Sequence, residues 1–107
     1  MREKRTTTIL KQARDLLSKR GKWLQGSLYD KSKGRYCAMG ALDAVIVGED
    51  KVGVLYPPKG SGYKSALALL DSVADGDVVE FNDAKGRRKK DVLAAFDKAI
   101  ALSESKS

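Results

Sequence analysis

Two segments, one near each end of the 107-residue chain, repeat apolar residues at the spacing of an amphipathic helix, and this pattern restricts the fold more than any other feature. The first segment predicts a helix over residues 7–20, with threonines before it that can cap it and Gly21 to end it. The second predicts a final helix whose apolar positions are Val92, Leu93, Phe96, Ala99, Ile100 and Leu102.

The middle of the chain predicts two further helices. Residues 37–47 are apolar on most sides, which fits a buried helix or a strand, and their length and small side chains favour a central buried helix. Residues 63–73 have helical spacing, and Ser61 is a candidate cap. Residues 57–62 predict a loop, which we expect to be the most mobile segment, and residues 78–81 predict a short extended piece.

Residues 23–36 are ambiguous, because a small hairpin and an irregular loop packed by Trp23 both fit them. With this segment at an edge, the prediction is a mostly α (α+β) fold. About four helices surround one core, with one or two short edge strands or a small hairpin. Residues 1–107 form a single domain, with flexible tails expected at 1–5 and 103–107.

The composition excludes several classes of function. Histidine is absent and Cys37 is the only cysteine, so Ser-His and Cys-His catalysis, His-metal sites and internal disulfides are excluded. We therefore expect a protein that is not an enzyme, with no catalytic residue, no metal and no cofactor. No apolar run exceeds five residues and the start is charged, so we expect no membrane insertion and a cytoplasmic location.

Charge is unevenly distributed along the chain. Residues 1–35 carry a net charge of +8, residues 36–84 carry −5 and residues 85–107 carry +4. If the two ends meet in the fold, they would form one positive face that suits phosphates or an acidic surface, although the cations of residues 85–90 also fit a solvated loop. The candidate partner-binding residues are Lys11, Arg14, Lys19, Arg20, Arg87, Arg88, Lys89 and Lys90.

Three short motifs, at residues 23–26, 36–42 and 81–83, contain the most unusual residues of the chain. Cys37 lies near a helix start, where a thiol could act as a nucleophile, but with no base present we interpret it as a small buried side chain. Trp23 is interpreted as a core anchor, with stacking on a base as the alternative, and residues 82–83 as a turn or cap for the final helix. The motif residues, which we interpret as structural, are Trp23, Gln25, Gly26, Cys37, Gly40, Asn82 and Asp83.

These motifs resemble a family of small proteins from actinobacteria and their bacteriophages, a domain family of unknown function. The resemblance extends from the first helix to the last, with two departures: Phe81 replaces a more usual Trp, and residues 87–90 replace an Arg-Thr pair. It implies a phage or actinobacterial origin and supplies no activity. The matching positions are Trp23, Gln25, Gly26, Cys37, Ala38, Gly40, Ala41, Leu42, Asn82, Asp83, Val92, Leu93, Phe96, Asp97, Ala99, Ile100 and Ala101.

From the resemblance and the composition, we expect a small non-enzymatic phage or phage-derived accessory protein that binds a host protein in the bacterial cytoplasm. The alternative is a nucleic-acid-binding protein without sequence preference that uses its basic ends. The position of the cations discriminates between the two. A continuous basic surface favours nucleic acid, whereas scattered cations or an exposed apolar patch at residues 54–56 favour a protein partner.

Overall fold

The computed structural model describes residues 5–105, and most of these residues are helical. The elements are α1 (Arg5–Ser18), β1 (Tyr29–Asp30), β2 (Arg35–Tyr36), α2 (Ala38–Val47), α3 (Tyr63–Val73), α4 (Val78–Asp83) and α5 (Lys89–Ser105), with a 3₁₀ turn at Glu49–Lys51. The predicted mostly α fold with a small hairpin is confirmed, and residues 5–105 contain five α-helices rather than about four. No helix within these residues is long and apolar enough to cross a bilayer.

Helices α1 and α5 pack against each other in antiparallel orientation. Their contacts run from one end to the other: Thr7 Oγ1 lies 2.7 Å from Ser103 Oγ, and Arg14 Nε donates to Asp97 Oδ1 at 2.7 Å. At the far end, Lys89 Nζ donates to the carbonyl oxygen of residue 19 at 2.8 Å. The two basic ends of the sequence therefore do meet.

Helix α2 lies at the centre of the core and contacts α1, α3 and α4. Its buried residues are mostly small, which allows neighbouring segments to approach closely. At Gly40 the approach is extreme, because a Cβ there would lie 2.0 Å from the carbonyl oxygen of Leu28. The predicted central buried helix is confirmed, and the alternative of a strand is wrong.

Residues 23–36 contain both structures that fit the sequence, a small hairpin and an irregular loop packed by Trp23. Strands β1 and β2 form an antiparallel hairpin that pairs Tyr29 with Tyr36, whose rings stack with centroids 4.9 Å apart. Trp23 forms an isolated parallel bridge to Tyr36 on the other side of β2, through Leu24 N to Tyr36 O at 3.0 Å. Residues 24–28 between them are irregular.

Two local expectations are wrong. Residues 78–81 are helical rather than extended, because the Asp77 carboxylate accepts the N–H groups of Val79 (2.8 Å) and Glu80 (3.2 Å) and so starts α4. A flexible tail from Ser103 is also wrong for residues 103–105, which continue α5 and include the buried Ser103 hydroxyl bonded to Thr7. Residue 5 is helical, and the remaining tail residues, 1–4 and 106–107, lie outside the described residues.

Candidate functional site

Motifs that are far apart in the sequence meet at the side chain of Asn82, which is fully buried. Its Oδ1 accepts the indole N–H of Trp23 at 2.7 Å and the backbone N–H of Ala38 at 3.1 Å. Its Nδ2 donates to Leu24 O and to Asp83 Oδ1, both at 2.9 Å. One amide therefore ties the Trp23 segment, the start of α2 and the end of α4 together, and its acceptor and both its N–H groups are all engaged.

The neighbouring motif residues complete this arrangement. Gln25 Nε2 donates to the carbonyls of Asn82 (2.9 Å) and Ala84 (3.0 Å), which lie at the C-terminal end of α4 and lack helical partners. The backbone N–H of Gly26 donates to Asp83 Oδ1 at 3.0 Å. We call Trp23, Gln25, Gly26, Asn82 and Asp83 the motif cluster. These contacts hold residues 23–26 against α2 and α4, which is a structural role.

The interpretation of residues 82–83 as a turn or cap for the final helix is wrong. Asn82 and Asp83 are the last residues of α4 and do not cap the final helix. At the start of α5, the backbone N–H of Arg88 instead donates to Asp91 Oδ2 at 2.9 Å, as in a capping box.

Cys37 is the N-cap residue of α2, and its Sγ accepts the backbone N–H of Gly40 at 3.3 Å. Burial raises the pKa of this thiol, which keeps it protonated rather than activated. The adjoining cleft, of about 210 Å³ and lined partly by Met39 and Val79, is smaller than most small-molecule sites. Residues 5–105 contain no group of three potential metal ligands either. The geometry around the thiol therefore favours a capping role over catalysis.

The cations of residues 87–90 have distinct roles. The Lys89 ammonium donates to Ser18 O (3.0 Å) and Lys19 O (2.8 Å), so it caps the C-terminus of α1. Arg87 donates through Nε to Phe81 O at 2.8 Å, with its guanidinium 3.7 Å from the centroid of the Phe81 ring. Arg88 and Lys90 are exposed. Two of the four cations therefore stabilise the fold, and two face solvent.

These cations belong to a larger basic surface. Lys89 joins the start of α5 to the end of α1, and Lys22 Nζ lies beside Gly34 in the hairpin turn, 3.4 Å from where a Cβ would sit. We call residues 19–35 and 85–91, which these contacts connect, the basic end. It carries eleven Lys and Arg against two Asp, a net charge of +9 that exceeds the +7 of the whole chain.

Not all of the predicted binding residues reach the basic end. Lys19 and Arg20 lie there with residues 87–90, but Lys11 and Arg14 lie along the α1–α5 contact. Lys11 Nζ is 3.2 Å from Glu104 Oε2, and Arg14 is bonded to Asp97, which raises the pKa of the guanidinium. Six of the eight predicted cations are therefore grouped, and the other two are paired with acids.

The surface near the start of α1 exposes large apolar side chains. Val54, Leu55 and Tyr56, which we call the apolar loop, have exposed fractions of 71%, 52% and 70%. Beside them lies a cleft of about 640 Å³ that also reaches Arg5 at the start of α1. The sequence predicts only a loop at residues 57–62 and does not indicate this cleft. The cleft has no signal in the sequence because its walls come from segments about 50 residues apart in the chain.

A family model described as a family of unknown function, DUF6197, matches residues 1–102. The chain belongs to this family. The match includes the whole motif cluster and the basic end, so the expected membership in a domain family of unknown function is confirmed. No curated protein matches the chain. No solved structure matches it either.

Proposed function

We propose that this DUF6197 protein is a non-enzymatic binding protein that holds nucleic acid by its phosphate backbone at the basic end. The observation that supports the proposal is the concentration of charge, since the basic end carries +9 while the remaining residues together carry −2. A field so strongly polarised attracts a polyanion and orients it toward one end of the molecule.

The structure around these cations suits backbone contacts rather than base readout. Lys19, Arg20, Arg88 and Lys90 are exposed at adjoining helix ends, where flexible side chains can each reach a phosphate. Within the described residues, the basic end consists of loops, the hairpin and the first residues of α5, so it contains no complete helix that could enter a DNA groove. Binding of this kind has little sequence preference and weakens steeply with salt.

A second candidate is a protein partner, and the exposed apolar loop favours it. Three consecutive large apolar side chains at a surface are typical of a protein contact. Together with the resemblance to actinobacterial and phage proteins, this loop supports a phage-derived accessory protein that binds a host protein in the cytoplasm. The geometry ranks it second, because the apolar loop lies at the start of α1 and does not interrupt the basic end.

The test is fluorescence anisotropy of a labelled DNA duplex, titrated with protein at several salt concentrations. The variant Arg88→Ala/Lys90→Ala removes two exposed cations of the basic end, and Lys51→Ala/Lys98→Ala removes two exposed cations elsewhere. We expect the first pair to weaken binding about tenfold or more and to reduce the slope of log K against log salt by about 2. The control pair should stay within about twofold of the unmodified protein.

Two results would overturn the proposal. One is no binding at low salt, where non-specific complexes with Kd values of about 10⁻⁴ to 10⁻⁶ M or tighter are expected. The other is an equal loss in both double variants, which would make the effect one of net charge rather than of the basic end.

A further inference from the structure

The cleft beside the apolar loop combines aromatic and cationic side chains in one cavity. Its volume of about 640 Å³ falls within the range of small-molecule sites. Tyr56 and Tyr63 meet edge to face inside it, with ring centroids 5.6 Å apart and planes at 77°. Among residues 5–105, the ten that line the cleft include three cations, Arg5, Lys59 and Lys64, and no Asp or Glu. We call this cavity the tyrosine cleft.

We propose that the tyrosine cleft binds a small ligand that has a planar aromatic ring and a phosphate group, with a mononucleotide as the model compound. The cations supply the charge complementarity for the phosphate, since a phosphate attracts Arg and Lys and no acidic side chain of the described residues lines the cleft to repel it. The exposed Tyr56 supplies a surface on which a planar ring can stack.

The walls of the tyrosine cleft are held in place by interactions with the core. Tyr63 is 3% exposed, and burial together with the neighbouring Asp43 of α2 raises the pKa of its hydroxyl. Arg5 donates through Nη1 to the carbonyl oxygen of Gly60 at 2.5 Å, which ties the start of α1 to the loop. A ligand would therefore meet a partly preorganised site, and only Tyr56 and the lysines would have to be ordered on binding.

The tyrosine cleft is separate from the basic end. Arg5 begins α1 and Lys19 follows its last residue, so the two surfaces are about 20 Å apart, the length of that helix. The inference thus stands independently of the proposed nucleic-acid binding.

The experiment is an NMR titration of the ¹⁵N-labelled protein with AMP, adenosine and inorganic phosphate in parallel. We expect AMP to shift the amide signals of residues 56–65 with saturation, and each of the other two compounds to bind at least about tenfold more weakly, since each has only one of the two recognised groups. Tyr56→Ala and Lys59→Ala/Lys64→Ala should each weaken AMP binding at least about fivefold. These side chains are exposed, so the variants are expected to fold.

The matched control is Arg88→Ala/Lys90→Ala, which should bind AMP as the unmodified protein does. Tyr56→Ala should in turn leave duplex DNA binding unchanged, so the two proposals fail or succeed separately. The inference is wrong if AMP produces no saturating shifts up to about 5 mM. It is also wrong if inorganic phosphate binds as tightly as AMP, or if the AMP shifts map to residues of the basic end.

Discussion

Replacement of Asn82 by alanine should lower the free energy of unfolding by about 3–5 kcal/mol. The change leaves three groups without their partner: the indole N–H of Trp23, the backbone N–H of Ala38 and the carbonyl of Leu24. Each buried polar group left unpaired costs about 1–3 kcal/mol. The expected loss is smaller than three times the upper value, because Trp23 is only half-buried and its indole N–H can recover a hydrogen bond with water.

The variant Asn82→Asp separates hydrogen bonding from side-chain volume. It keeps the acceptor for Trp23 and Ala38 but replaces Nδ2 with an oxygen that faces Leu24 O and the Asp83 carboxylate. A buried negative charge against two acceptors should destabilise the protein at least as much as alanine does at neutral pH. Acidification should restore part of the stability, because a protonated carboxyl regains one O–H donor.

The assay is urea unfolding followed by far-UV circular dichroism, since the fluorescence of Trp23 responds to the substitution itself. Gln25→Ala is the control: it removes two hydrogen bonds from an exposed side chain and should cost about 1 kcal/mol or less. For a domain whose stability is about 5–15 kcal/mol, the two effects are readily distinguished. A loss below about 1 kcal/mol for Asn82→Ala, or equal losses in both variants, would refute the central role of this amide.

Substitutions at three further residues test other contacts of the core. Gly40→Ala should cost about 2 kcal/mol or more, since its Cβ would overlap the backbone of Leu28, and an unchanged midpoint in thermal unfolding would contradict this. Cys37→Ser should cost less than about 0.5 kcal/mol because a hydroxyl can accept the same N–H, whereas Cys37→Ala should cost about 1 kcal/mol or more in urea unfolding; equal effects would exclude the cap. Burial raises the pKa of Asp43 above 3.8, so the native state binds this proton more tightly than the unfolded state. The stability of the unmodified protein relative to Asp43→Asn should therefore fall as the pH rises above about 4, and a constant difference in ΔG of unfolding would contradict this.

The sequence predicts the elements whose apolar pattern is local. Helices α1 and α5 have a clear stripe, and α2 is recognisable because a long run of small apolar residues suits a buried helix. Helix α4 was missed, since its β-branched Val78 and Val79 favour a strand and only Asp77 indicates a helix start. Its six residues are too few to show a period.

The functional surfaces were predictable only in part, because they depend on which segments meet. The motif residues stand out in the sequence, but Trp23 and Asn82 are 59 positions apart, and only the packing of α4 brings them into contact. In the same way, the sequence alone places Lys11 and Arg14 with the other basic residues, but the antiparallel packing of α5 brings Glu104 and Asp97 beside them. Asp43 gives no local signal, since its partner Tyr63 is on another helix.

The antiparallel contact between α1 and α5 also determines when the chain can fold. The bond between Thr7 and Ser103 joins residues 96 positions apart, so α1 is synthesised well before α5, which covers part of its buried stripe. Such long-range closure delays completion of the core until α5 has been synthesised. A nascent chain that lacks α5 leaves the side of α1 that α5 covers open to other contacts.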